Sequence, residues 1–139
     1  MEIKKETISK GFIIAGLMNI TGVLVNSRCF TNTTIAEFDT KVMSNFGLLM
    51  IIVWGFAYLS VYKNFNKVKW LVAVFAIEKF IYGFIWTKWI LNNSVSAVFE
   101  KDKSAGIFYS IYGINDWIFF IFFLFVFINL VTNKSKALH

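Results

Sequence analysis

The sequence predicts an all-α integral membrane protein: four transmembrane helices in an antiparallel, up-down bundle. Three observations carry that expectation. The 139-residue chain is 58% hydrophobic and only 16% charged, where an ordinary soluble domain is about 25% charged. Its mean hydropathy is +0.64. Its apolar residues fall into four runs, at residues 8–25, 42–62, 68–91 and 107–131, each close to or above the ~20 residues a spanning helix needs. No run alternates with period two over its length, which disfavours a β-barrel. Backbone groups in lipid must then bond within helices. Length allows one domain over residues 1–139, and a chain this apolar and aromatic does not stay disordered in water.

The first run follows Lys4, Lys5 and Lys10 and so imitates a secretory signal. No A-x-A site follows it, and Arg28 stands where a lipoprotein cysteine would need a small residue before it, so an uncleaved first helix is expected. Ahead of the second run, Thr34-Ile35-Ala36-Glu37 fits a capping box. It lets the second helix begin in the interface, before its apolar part. Asn66 is the expected N-cap of the third helix, and Asn92, Asn93 and Ser94 punctuate its end. Residues 94–101 suit a short interfacial helix with Val95, Val98 and Phe99 against lipid. Ser104, with Gly106 just inside, is the expected cap of the fourth helix.

Lys and Arg set the orientation. Lys4, Lys5, Lys10, Lys63, Lys67, Lys69, Lys134 and Lys136 fall on one side, against Arg28, Lys41, Lys101 and Lys103 on the other. Both termini are therefore expected in the cytoplasm, in a bacterial inner (plasma) membrane. The net charge of +6 comes from residues at the ends of apolar runs, so topology accounts for it better than nucleic acid does. The chain has one cysteine, Cys29, one histidine, His139, and no proline. An intrachain disulfide is excluded, and neither a metal site nor any other cofactor is expected. A His-dependent catalytic pair would need the last residue of the sequence.

Ionisable groups in hydrocarbon cost about 2.5–3.5 kcal/mol on insertion scales and are functional candidates by default. Three occur here: Glu78, Lys79 and Asp116. Glu78 and Asp116 each stand about ten residues into their runs, hence ~15 Å deep, near the midplane of a ~30 Å core. Asn19 and Trp54 reach a similar depth in the first two runs. Helical spacing extends the set. Ala15, Asn19, Gly22 and Asn26 form one stripe; Ser44, Gly47, Ile51, Trp54 and Tyr58 a second; Glu78, Tyr82, Trp86 and Trp89 a third; Tyr109, Tyr112, Asn115 and Asp116 a fourth. Small and polar residues suit helix contacts in lipid, so these stripes are expected to face each other, with the Phe and Ile faces turned outward. Trp70, Trp89 and Tyr62 read as interface anchors, and Trp54, Trp86 and Trp117 as deeper core. The candidate polar centre is Asn19, Trp54, Glu78, Lys79, Tyr82, Trp86, Tyr109, Tyr112, Asn115 and Asp116.

Two accounts of that centre stay open. One is an ion-pair network that fixes helix register. The other is a polar pocket; two acids against one lysine leave one carboxyl unpaired. The function classes follow. The first is a non-enzymatic protein in the lipid bilayer that binds an apolar small molecule or a membrane partner protein. The second is an intramembrane enzyme that moves a proton on a lipid-like substrate with Glu78 and Asp116 as acid and base. The third is a homo-oligomeric proton-coupled carrier or channel.

Overall fold

The computed structural model describes residues 4–136, with side chains through residue 132; His139 lies outside that range. Within it the regular structure is helical: α1 (Lys5–Asn26), α2 (Thr33–Phe38), α3 (Asn45–Val61), α4 (Lys69–Asn92), α5 (Val95–Lys101) and α6 (Lys103–Lys136), with a 3-10 turn at Phe65–Lys67. Helices α1, α4 and α6 are long and apolar enough to cross a membrane, whereas α3 is apolar but has 17 residues.

The helix starts differ from expectation at α2, α4 and α6. Residues 34–37 do not lead into the second apolar helix. Asn32, not Thr34, caps α2, its side chain accepting from the Thr34 N–H at 3.3 Å. Asp39 then breaks the chain direction, its Oδ1 accepting from the Lys41 and Val42 N–H groups at 3.0 and 2.9 Å. Ser44 caps α3 by accepting from the Gly47 N–H at 3.1 Å. Asn66 sits inside the 3-10 turn, and α4 starts without a side-chain cap. Asp102, rather than Ser104, caps α6: its Oδ1 accepts from the Ala105 N–H at 2.8 Å, so the helix opens at Lys103. Ser104 instead donates to the Asn26 carbonyl at 3.1 Å. Helix α5 is capped by Ser94, but Val98 is fully buried in the protein rather than facing lipid.

The helices pack mainly as two pairs, α1 with α3 and α4 with α6. Glycines permit both approaches. A Cβ on Gly16 would lie 2.8 Å from the Gly55 carbonyl oxygen, and one on Gly55 would lie 2.9 Å from that of Gly16, so α1 and α3 touch backbone to backbone. Between α4 and α6, the Trp86 ring covers Gly113, and the Trp117 ring covers Gly83.

The expected outward Phe face is half wrong. Phe12, Phe65, Phe75 and Phe123 are buried together with Tyr58 near the chain termini; Phe12 lies 5.3 Å from Phe65 and 5.1 Å from Phe123, centroid to centroid. Flat rings interlock where branched side chains would leave gaps. On α4 and α6 Ile residues do point outward, Ile77, Ile118 and Ile121 being exposed. At the opposite end α2 folds over the helix tips and buries Ile35. There Trp89 is not an interface anchor. It stacks on Tyr109 at 4.3 Å and donates to the Phe38 carbonyl at 3.0 Å.

Candidate functional site

Four helices meet at a buried polar cluster. Asn19 on α1 donates through Nδ2 to the Ile51 carbonyl of α3 at 3.0 Å. That bond turns its Oδ1 toward α4, where Lys79 Nζ donates to it at 2.9 Å. Lys79 Nζ also donates to Asp116 Oδ1 on α6 at 2.6 Å, and it lies 5.4 Å from the centre of the Tyr58 ring. The Lys79 side chain is 1% exposed and that of Asp116 8%. The Tyr58 hydroxyl of α3 donates to Glu78 Oε2. Each buried charge thus has a charged or hydrogen-bonding partner, without which it would not tolerate burial.

The cluster forms one wall of a cleft of about 260 Å³. Its edges are defined by contacts between α1 and α6. Toward the termini, Phe12 packs on Phe122 and Phe123 at 5.7 and 5.1 Å. Toward the other end, the Ser104–Asn26 bond ties the two helices. Between these closures Met18 and Gly22 of α1 face Phe108, Ile111 and Tyr112 of α6 across the cleft. A Cβ added to Gly22 would meet no atom within 4 Å, unlike Gly16 on the same helix. Open space at Gly22 is therefore part of the cleft.

The far closure is reinforced by a polar clamp. Asn32 Nδ2 donates to the Asn26 carbonyl at 3.1 Å and to Asp102 Oδ1 at 2.9 Å, and Arg28 pairs with Asp102 Oδ2 at 2.8 Å. The Ala105 N–H first, then Asn32 and Arg28, hold the Asp102 carboxyl below its usual range. Arg28, Cys29 and Phe30 all have left-handed backbone, at φ 49°, 54° and 69°, an unfavourable state for residues with a Cβ. The chain keeps it because the Cys29 N–H bonds the Leu24 carbonyl at 2.9 Å and the Asn32 N–H bonds that of Ser27 at 2.8 Å.

Of the ten residues proposed from sequence, Asn19, Glu78, Lys79, Tyr82, Tyr112, Asn115 and Asp116 all line the cleft. Three do not. Trp54 is half-buried and packs edge-on to Phe75 at 6.2 Å. Trp86 lies over Gly113 and donates to the Tyr109 carbonyl at 2.7 Å. Tyr109 sends its hydroxyl to the Ile35 carbonyl of α2 at 2.7 Å. Tyr58 is the residue missing from the sequence-derived set, although it stands one turn beyond Trp54 on the inward stripe of α3. Among the described residues no cluster of three His, Cys, Asp or Glu is placed to hold a metal ion. The Tyr112 hydroxyl is the buried side-chain polar atom that, among the described residues, has no hydrogen-bond partner.

No family model, curated protein or solved structure matches the chain.

Proposed function

We propose that this protein binds an apolar ligand drawn from the bilayer into the cleft between α1 and α6. In this reading α1, α3, α4 and α6 all span, up and down in turn, in a bacterial inner (plasma) membrane with both termini cytoplasmic. The 17 residues of α3 measure about 26 Å along the axis, at the short limit for a span. Modest local thinning of the bilayer accommodates that length. The Lys-rich terminal side supports the orientation.

One observation carries the functional reading: the cleft has a carbon mouth and a polar wall. A register device alone needs the Lys79–Asp116 pair but no open volume beside it. Small-molecule sites combine an apolar lining with a few placed polar groups. The test uses the space at Gly22. Gly22→Leu places its Cβ in open space, sends the rest of the side chain into the cleft and favours the helix. Mass spectrometry of gently extracted protein should find a membrane-soluble molecule on the wild type that is missing from Gly22→Leu, at equal thermal stability. Identical bound molecules in both would overturn the reading.

The intramembrane enzyme is a second reading, favoured by the two carboxyl residues Glu78 and Asp116 in one cleft. There Glu78, bonded to Tyr58, would exchange a proton with the bound molecule. Glu78→Gln separates the two readings: a binding protein keeps its ligand unchanged, whereas an enzyme accumulates an unconverted one.

A further inference from the structure

The polar groups of the cleft are not equally available to a ligand. Lys79 is pinned between Asn19 Oδ1 and Asp116 Oδ1, and Glu78 receives the Tyr58 hydroxyl. A charged head entering the cleft would compete with this pairing for the same groups, and a charge there needs several partners of its own. Tyr112 differs. It is 7% exposed, lines the cleft, and its hydroxyl is unpartnered. Its ring stacks with Phe108 at 5.3 Å and meets Trp86 edge-on at 6.4 Å, so the ring is held rigidly, and its enclosed hydroxyl takes no partner from the protein. The cleft volume of about 260 Å³ falls below the ~300 Å³ at which pockets enclose a whole drug-sized molecule. Met18 and Ile111, each 44% exposed, stand at its mouth, one on each helix.

We propose that the cleft takes the head end of a neutral, membrane-soluble amphiphile with a single hydroxyl or carbonyl oxygen. That oxygen bonds the Tyr112 hydroxyl, and the tail leaves between Met18 and Ile111 into the acyl chains. The proposal rests on the cleft being a ligand site and adds the class of ligand and the residue that selects it. Gly22 is the second determinant, because the head occupies the space a side chain there would fill.

The test uses three photoactivatable probes with the same diazirine-bearing alkyl chain, ending as an alcohol, a hydrocarbon or a sulfonate, with the protein in lipid nanodiscs. The readout is cross-linking yield to peptides of α1 and α6. The wild type should label with the alcohol roughly tenfold better than with the hydrocarbon, the worth of one net hydrogen bond, and with the sulfonate no better than with the hydrocarbon. In Tyr112→Phe the alcohol should fall to the hydrocarbon level while hydrocarbon labelling and thermal stability hold. In Gly22→Leu labelling of the cleft by all three should disappear. An alcohol preference that survives Tyr112→Phe, equal labelling of wild type by alcohol and hydrocarbon, or a sulfonate that outcompetes the alcohol each overturns the ligand class while leaving the cleft as a site. No labelling of wild-type cleft peptides, or unchanged labelling in Gly22→Leu, overturns the site itself.

Discussion

Lys79 decides much of what the centre of this protein can be. Its ammonium is surrounded by Asn19, Asp116 and the Tyr58 ring, each from a different helix. Asp116→Leu leaves a buried ammonium short of its counter-charge, which costs about 3–5 kcal/mol. Lys79→Met combined with Asp116→Leu should cost clearly less than Asp116→Leu alone, since a buried pair exchanged for apolar groups is often neutral. Chemical unfolding in bicelles measures both, and equal losses would contradict the pairing. Tyr58→Phe strips Glu78 of a hydrogen-bond donor and should cost about 1–3 kcal/mol in the same assay. The ionisable members of the cluster were legible in the sequence, because a charge inside an apolar run demands an explanation. The tyrosines were harder. Tyr58 and Tyr109 both lie on inward stripes, but spacing does not show where a hydroxyl at the end of a long side chain finds its acceptor. Tyr58 reached Glu78, and Tyr109 reached up to α2.

Among the elements, the segment from α1 to α2 stores strain and the α5–α6 junction restrains it. Cys29 is exposed and left-handed at φ 54°, so Cys29→Gly loses little packing and removes the Cβ conflict. It should raise stability by about 1 kcal/mol; a thermal midpoint that does not rise would show the turn to be relaxed. The clamp it leads into is pH-dependent. Asp102 has a lowered folded-state pKa, so its contribution is complete above the ordinary carboxylate value of about 4 and is lost as pH falls through the folded value below it. Hydrogen-exchange protection at residues 27–32, taken relative to the intrinsic amide rate at each pH, should fall on acidification from pH 5 to pH 2. Asp102→Asn should show raised exchange already at pH 5 with a flatter response. Cap positions explain why these boundaries were missed. Asn32, Ser44 and Asp102 are all good caps by residue type, yet so are Thr34, Asn66 and Ser104. What chose between them was tertiary: Ser104 was drawn to the Asn26 carbonyl, and Asn32 to Asp102.

For the whole molecule, the existence of the apolar helices followed from composition and run length, whereas their facing followed only in part. Most Ile residues of α4 and α6 are turned outward as expected, but the Phe residues divided between the exposed surface and a buried aromatic layer, a choice that hydropathy alone cannot make. Glycines set how closely the helices approach. Gly16→Val forces α1 from the Gly55 carbonyl and should cost about 1–3 kcal/mol by overpacking. Gly22→Val, six residues on, meets open space and should be close to neutral; thermal unfolding of the pair checks the contrast. In the proposed function the same open space is where the interior meets the bilayer, through the cleft between α1 and α6. Solid-state NMR of the protein in lipid bilayers tests that claim most directly. Correlations should join the Lys79 ammonium to the Asp116 carboxylate, and Gly22 Cα to protons of a bilayer-derived molecule. Gly22 contacting only protein protons, with Lys79 and Asp116 uncorrelated, would contradict it.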